Sequence, residues 1–323
     1  MGAEAYKPMG NLLKKRTMAF TDVFKNLGSS KSTERKLQNE YLPSTLIVAT
    51  DFSEGARSAM INAVNTFLPA LKKIILLNAY SVPSISIGSL VTVKDILFQL
   101  SEEGLEEELK VLEKHLGSTA VEIEVLSKNG ELFEIINEFK LGEERPMVCL
   151  GTTGASNVEN VYHGHTTVQT TQKLSNIPVF TLPLGRKLSK PKNVIYISDI
   201  QEIENITRID TVVGCSLAFG TTIHVAHISE RNILQPSRIT AADRDLMPFY
   251  KELYPNANFT YQTLNGIEDI GQQLSNLAEN YRADFIYMVV KEDGFLNDVF
   301  GEKYLAEKTY FNQLPTIIYR VED

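Results

Sequence analysis

Ten apolar runs of four to eight residues recur along the chain, each rich in Val, Ile, Leu, Thr, Phe or Tyr. They are Thr45–Asp51, Lys73–Ala79, Val121–Leu126, Met147–Leu150, Ile177–Leu182, Lys192–Asp199, Thr222–Ile228, Phe259–Leu264, Asp284–Val290 and Leu314–Tyr319. Runs of that length and composition read as strands, and Val121–Leu126 alternates as a half-buried strand should. Helical stretches lie between them at Ala56–Leu68, Glu131–Phe139, Ile203–Phe219 and Ile267–Tyr281, with a polar helix opening at His165-Thr166-Thr167. Strand and helix in alternation predict parallel sheets with helices on both faces. Crossovers in such sheets are right-handed, and ligands sit beyond the carboxyl ends of the strands.

The pattern occurs twice. Each copy opens on a strand ending in a hydroxyl residue and an aspartate, Thr50-Asp51 and Ser198-Asp199, with a glutamate three residues on, Glu54 and Glu202. Each has Asn-Gly after its third strand, Asn129-Gly130 and Asn265-Gly266, and Pro at the head of its fifth, Pro178 and Pro315. The landmarks keep their order, and the first copy carries a longer insert from Ser81 to Gly117. The expected organisation is an N-terminal extension over 1–43, a first domain over 44–187 and a second over 190–323.

Composition narrows the function. Hydrophobic residues make up 43% of the 323 positions, enough for two sizeable cores. A net charge of −8 and a pI near 5.3 argue against a nucleic-acid partner, which requires a basic face. No apolar run reaches membrane-spanning length and no signal peptide is visible, so a cytoplasmic protein is expected. Met1-Gly2 lacks the Ser or Thr that myristoylation needs, because position 6 is Tyr6. Cys149 and Cys215 lie in apolar contexts and read as small buried hydrophobes.

Candidate chemistry concentrates after the fourth strand, in Gly151-Thr152-Thr153-Gly154 with Gly164 following after nine intervening residues. Glycines at a strand-to-helix junction admit an anion close to backbone N–H groups, and the helix N-terminus adds partial positive charge. A Walker loop is excluded because no Lys follows, and the dinucleotide fingerprint G-x-G-x-x-G is absent. The competing reading is a Gly-rich surface turn. Asp51, Ala79 and Gly151 all close their strands, so one pocket can hold all three.

The strand-Asp opening, the Asn-Gly before the second long helix, and G-x-x-G-x9-G before a final Ile-Pro-Val strand resemble the universal stress proteins. The likeness covers nearly all of 44–323 as a tandem pair. It implies an α/β fold of two tandem five-stranded parallel-sheet domains, Rossmann-like and similar to the adenine nucleotide alpha hydrolases, and a role in stress response. It also implies ATP or another adenine nucleotide in the first domain, with Mg²⁺ bound through the phosphates. Asp51 would contact the adenosine and Ala79 would meet adenine through its backbone. Gly151 and Gly154 would wrap the ribose and phosphates, and Gly164, His165 and Thr166 would lie at the phosphate-side helix start. The sequence departs from the family at His165, where the motif has Ser or Thr.

The second copy reads Val289-Val290-Lys291-Glu292-Asp293-Gly294, then Gly301. No G-x-x-G remains and its acids would repel phosphate, so the copy reads as a structural one that supplies in cis the surface a single-unit relative obtains by dimerising. The alternative function is a scaffold that binds no nucleotide and works through protein contacts.

Other chemistry is sparse. His163 and His165 have no third metal ligand at a recognised spacing. His224 and His227, three apart on one strand, point to opposite faces and read as structural. No nucleophile–base pair is identifiable, which places slow ATP hydrolysis last. Ser53 reads as a helix cap and Asp51 as either a ligand or a turn former. The acids Glu102, Glu103, Glu106, Glu107 and Glu108, interleaved with Leu105, Leu109 and Leu112, read as a solvated helix face over packed leucines, the alternative being a partner-docking or lid role. Residues 1–43 carry Lys14-Lys15-Arg16 and an apolar set of Leu12, Leu13, Met18, Phe20, Val23, Phe24 and Leu27. They read as an amphipathic helix that docks on the body or on a second chain; for the protein as a whole, the expected partners are a second tandem chain in a homodimer or a regulatory protein. Three charges are too few for a membrane surface.

Overall fold

The computed structural model describes residues 41–82, 90–139, 145–152, 165–188, 190–198, 209–229, 250–251, 253–265, 270–291 and 314–321. The strands are β1 Thr45–Ala49, β2 Lys73–Tyr80, β3 Glu122–Asn129, β4 Pro146–Gly151, β5 Val179–Leu182, β6 Asn193–Ser198, β7 Thr222–Ser229, β8 Asn258–Asn265, β9 Phe285–Lys291 and β10 Thr316–Val321. The helices among the described residues are α1 Glu54–Phe67, α2 Leu90–Leu116, α3 Leu132–Asn137, α4 His165–Lys173, α5 Asp210–Phe219 and α6 Ile270–Tyr281.

Among the described residues ten strands form one sheet, in the order β3-β2-β1-β4-β5-β10-β9-β6-β7-β8. Reading outward from the centre, each half runs fifth, fourth, first, second, third strand. Every pairing is parallel except β5 with β10, where Ile318 faces Val179, Ile317 faces Phe180 and Thr316 faces Thr181 in antiparallel register. The expected five-stranded sheets are therefore present and share one seam. The physical reason lies in the fifth strands. Val179–Leu182 is buried throughout, and leaving it as a free edge would expose both apolar surface and unpaired backbone. The equivalence of the halves extends to single bonds: Val148 N–H donates to the Pro178 carbonyl and Ile286 N–H to the Pro315 carbonyl, each at 2.9 Å. Each proline opens its strand, where a missing N–H is tolerated.

Side chains alternate across the sheet. On one face Leu46, Val48, Ile74 and Leu76 pack with Ala59, Met60 and Val64 of α1 and with Leu105 and Leu112 of α2. The same cluster crosses the seam to Val212 and Cys215 of α5 and to Tyr250. Phe67 meets Phe180 edge-on, with ring centres 6.1 Å apart. On the other face Ile47, Ile75 and Val148 pack against Leu132, Ile135 and Ile136 of α3, while Ile195, Ile286 and Met288 pack against Leu274 and Leu277 of α6. No helix among the described residues is long and apolar enough to cross a membrane.

Candidate functional site

Three strand ends meet at the carboxyl edge of the first half. β1 lies between β2 and β4, with Ala49 opposite Leu77 and Val48 opposite Cys149. Two residues further along those registers stand Asp51, Ala79 and the Gly151–Thr152 step. Asn78, nearly fully buried, donates its Nδ2–H to the Thr50 carbonyl at 2.6 Å and fixes the exit of β1.

The turn after β1 is built from its own side chains. Phe52 N–H bonds to Thr50 Oγ1 at 3.0 Å, and Ser53 N–H donates to Asp51 Oδ1 at 3.1 Å. Ser53 caps α1 by accepting the Ala56 N–H at 3.2 Å. Between them Phe52 adopts φ 65°, a left-handed conformation uncommon for an aromatic residue. Its ring lies against Gly104 of α2, where an added Cβ would stand 2.6 Å from the ring. The Asp51 carboxylate is exposed at the mouth of this turn.

Gly151 closes the site from the other side. A Cβ there would lie 2.7 Å from Ala56 N and from Gly55 C, so β4 ends in backbone contact with the first turn of α1. Its carbonyl accepts the Thr167 hydroxyl at 2.9 Å, which ties down the first turn of α4. Thr167 is buried and committed to this bond, whereas Thr166 is exposed. The far end of α4 is held from the second half: Arg320 Nε–H donates to the Thr171 carbonyl at 3.4 Å. Lys173 sits 4.5 Å above the Phe133 ring of α3. Two helix N-termini, those of α1 and α4, thus converge on Gly151. That donor set is suited to anionic oxygen, and the carboxylate and backbone of β1 and β2 are suited to hydroxyl and amino groups.

His165 is the first residue of α4. Gly154, Gly164, His163, Asp199, Glu202 and residues 1–40 lie outside the described residues. The turn role expected for Asp51 and the cap role expected for Ser53 are both present. Sequence reading missed Thr167 as the tie to Gly151, Phe52 and Gly104 as a contact, and Arg57 as a partner for the acidic helix. Of the acids in α2, Glu102, Glu103, Glu106 and Glu107 are exposed as expected. Glu108 differs: its side chain is 1% exposed, and its Oε1 accepts Arg57 Nε–H at 3.0 Å and Nη2–H at 2.7 Å. The heptad phase it shares with Leu105 and Leu112 was the available signal.

Both histidines of β7 are buried against tyrosine rings. His224 is buried, stacked on Tyr281 with centroids 3.8 Å apart, and bonded to Thr260 Oγ1 at 2.7 Å and Asn193 Oδ1 at 3.1 Å. An amide oxygen only accepts, so Nε2 carries the proton and Nδ1 takes the Thr260 hydroxyl. Burial lowers the pKa of this ring below the ordinary value. His227 is buried and stacks with Tyr261. Cys149 and Cys215 are free and buried; burial pushes both thiols up, Cys215 to about 12, which leaves neither as a nucleophile near neutral pH.

No family model matches the sequence, and no curated protein matches it. Solved structures do. A universal stress protein from Archaeoglobus fulgidus is 15% identical, with 88% of this chain and 98% of that chain covered at a TM-score of 0.63. A functionally unknown protein from Pseudomonas aeruginosa is 10% identical, with 89% of this chain and 95% of that one covered at a TM-score of 0.52. Identities this low are a likeness of fold, and the alignments run through both halves. The chain has the α/β fold of the universal stress proteins.

Proposed function

We propose that the first half binds ATP or another adenine nucleotide and that the protein is a nucleotide-responsive regulator of the stress-protein type rather than an enzyme. The observation that carries the reading is the meeting of Asp51, Ala79 and Gly151 at one sheet edge, with the first turn of α4 and its exposed Thr166 alongside. In this reading the Asp51 carboxylate accepts from ribose or adenine donors and the β2 backbone at Ala79 reads the adenine edge. Gly151 and Gly154 let backbone approach the ribose and phosphates. Gly164, His165, Thr166 and the N–H groups of α4 receive the phosphates. Mg²⁺ would arrive with the nucleotide and neutralise phosphate charge. The second half, lacking G-x-x-G, binds none and supports the first through the seam and Arg320.

One observation favours the scaffold reading: Gly151, Ser53 and Asp51 Oδ1 each have a structural role that needs no ligand. The two readings part at Thr166, whose side chain is exposed. Mass spectrometry of untreated, denatured protein is expected to release an adenine nucleotide. Thermal denaturation is expected to shift upward with ATP in the wild type and less in Thr166→Val. An empty protein whose melting ignores both ATP and AMP would remove the nucleotide reading and leave the scaffold.

A further inference from the structure

The outer face of α2 is exposed and carries two chemistries. Helix α2 is 27 residues long, roughly 40 Å at 1.5 Å per residue. Its inner stripe, Ser101, Leu105, Glu108, Leu112 and Leu116, is buried. Ser101 receives the Ser127 hydroxyl at 2.7 Å near the carboxyl end of β3, so the turns before Ser101 stand past the edge of the sheet. On the opposite side Ile96, Leu100, Glu103 and Glu107 follow at intervals of four, three and four and so share one face. Ile96 is 52% and Leu100 is 56% exposed, and both glutamates are exposed.

We infer that residues 12–27 of this chain dock on that face, antiparallel to α2. Three observations choose this occupant. Charge is complementary: residues 1–40 hold eight Lys or Arg against four Asp or Glu, whereas α2 holds three Lys against seven Asp or Glu. The order of chemistry is complementary too. In the leader the basic Lys14-Lys15-Arg16 precede the apolar Phe20, Phe24 and Leu27; in α2 the apolar Ile96 and Leu100 precede the acids. Only the antiparallel direction sets Phe24 by Ile96, Phe20 by Leu100, and Arg16 by Glu103. Reach matches as well, because Phe24 beside Ile96 leaves Leu27 near Val93, about 35 Å of helix from Leu116 at 1.5 Å per residue. The apolar segment stops at Gly28, and the thirteen residues 28–40 span up to about 43 Å when extended. They join the body at Tyr41 and Leu42, on the same sheet face as α2: Leu42 belongs to the core cluster that holds Leu105 and Leu112, and Tyr41 packs against that cluster.

Cysteine pairing in the full chain tests the inference, since Cys149 and Cys215 are buried. Phe20→Cys with Leu100→Cys, and separately Phe24→Cys with Ile96→Cys, are expected to form a disulfide within one chain under mild oxidation. The rate should exceed by at least tenfold that of Phe20→Cys with Leu184→Cys, an exposed position beside β5. Replacing Lys14, Lys15 and Arg16 by Glu should abolish the difference, and adding Glu103→Lys, Glu106→Lys and Glu107→Lys should restore it. Equal rates for all pairs, or rates blind to the charge reversal, would overturn the docking. A disulfide between chains, read as a covalent dimer, would overturn it in favour of a second copy as the occupant.

Discussion

The Thr167 hydroxyl donates to the Gly151 carbonyl at 2.9 Å and so binds the first turn of α4 to the last residue of β4. Its neighbour Thr166 faces solvent from the same turn. Adjacent threonines thus carry different work. Thr167→Val leaves the half-buried Gly151 carbonyl without this hydroxyl donor and is expected to destabilise the fold by about 0.5–1.5 kcal/mol in urea denaturation. Thr166→Val is expected to change stability by less than about 0.5 kcal/mol. Equal losses from the two would contradict the assignment.

Gly151 is required by close approach rather than by backbone conformation. A Cβ would meet the backbone of Gly55 and Ala56, which cannot swing aside as a side-chain tip could. Gly151→Ala is therefore expected to cost about 1–3 kcal/mol through overpacking, even though Ala is the smallest possible change. Equilibrium unfolding checks this without any ligand.

The Arg57–Glu108 pair anchors α2 to α1. Arg57 is 44% exposed while the Glu108 carboxylate is buried, with Oε2 lacking a hydrogen-bond partner. Removing the cation strands a buried charge, so Arg57→Ala is expected to destabilise by roughly 3 kcal/mol. The double variant Arg57→Ala with Glu108→Leu should recover most of that loss. A double variant as unstable as the single one would show that the ion pair is not the origin of the effect.

Much of this was legible in the chain. The strand-ending aspartates, the Asn-Gly steps and the paired prolines recur in the same order in both copies, and at the described positions Asp51, Gly130, Pro178 and Pro315 they answer local backbone demands. Ser53 was legible as a cap for the same reason. Glu108 was not, because its partner Arg57 lies 51 residues away and a run of acids is ordinarily solvated. The antiparallel seam was not legible either: nothing in Val179–Leu182 or Thr316–Val321 alone tells which strand it will pair with. The contact of the Phe52 ring with Gly104 was not legible, because Gly104 lies on a helix whose placement depends on the whole sheet.

Acid should weaken the second half through His224. Its folded pKa lies below the unfolded value of about 6.5, so the unfolded state takes up the proton first. The contribution is complete above that value and is lost as pH falls below it toward the folded pKa. Chemical denaturation at pH 5 to 7 should show wild-type stability declining with acid, and His224→Gln should flatten the decline. An unchanged slope in the variant would assign the acid sensitivity elsewhere.

Calorimetric titration of the full chain with ATP, beside Asp51→Ala and Gly154→Val, tests the central claim most directly. The account predicts one ATP bound per chain in the wild type and a loss of binding in both variants with their folds intact. Two nucleotides per chain, undiminished binding in the variants, or no heat from the wild type would contradict it.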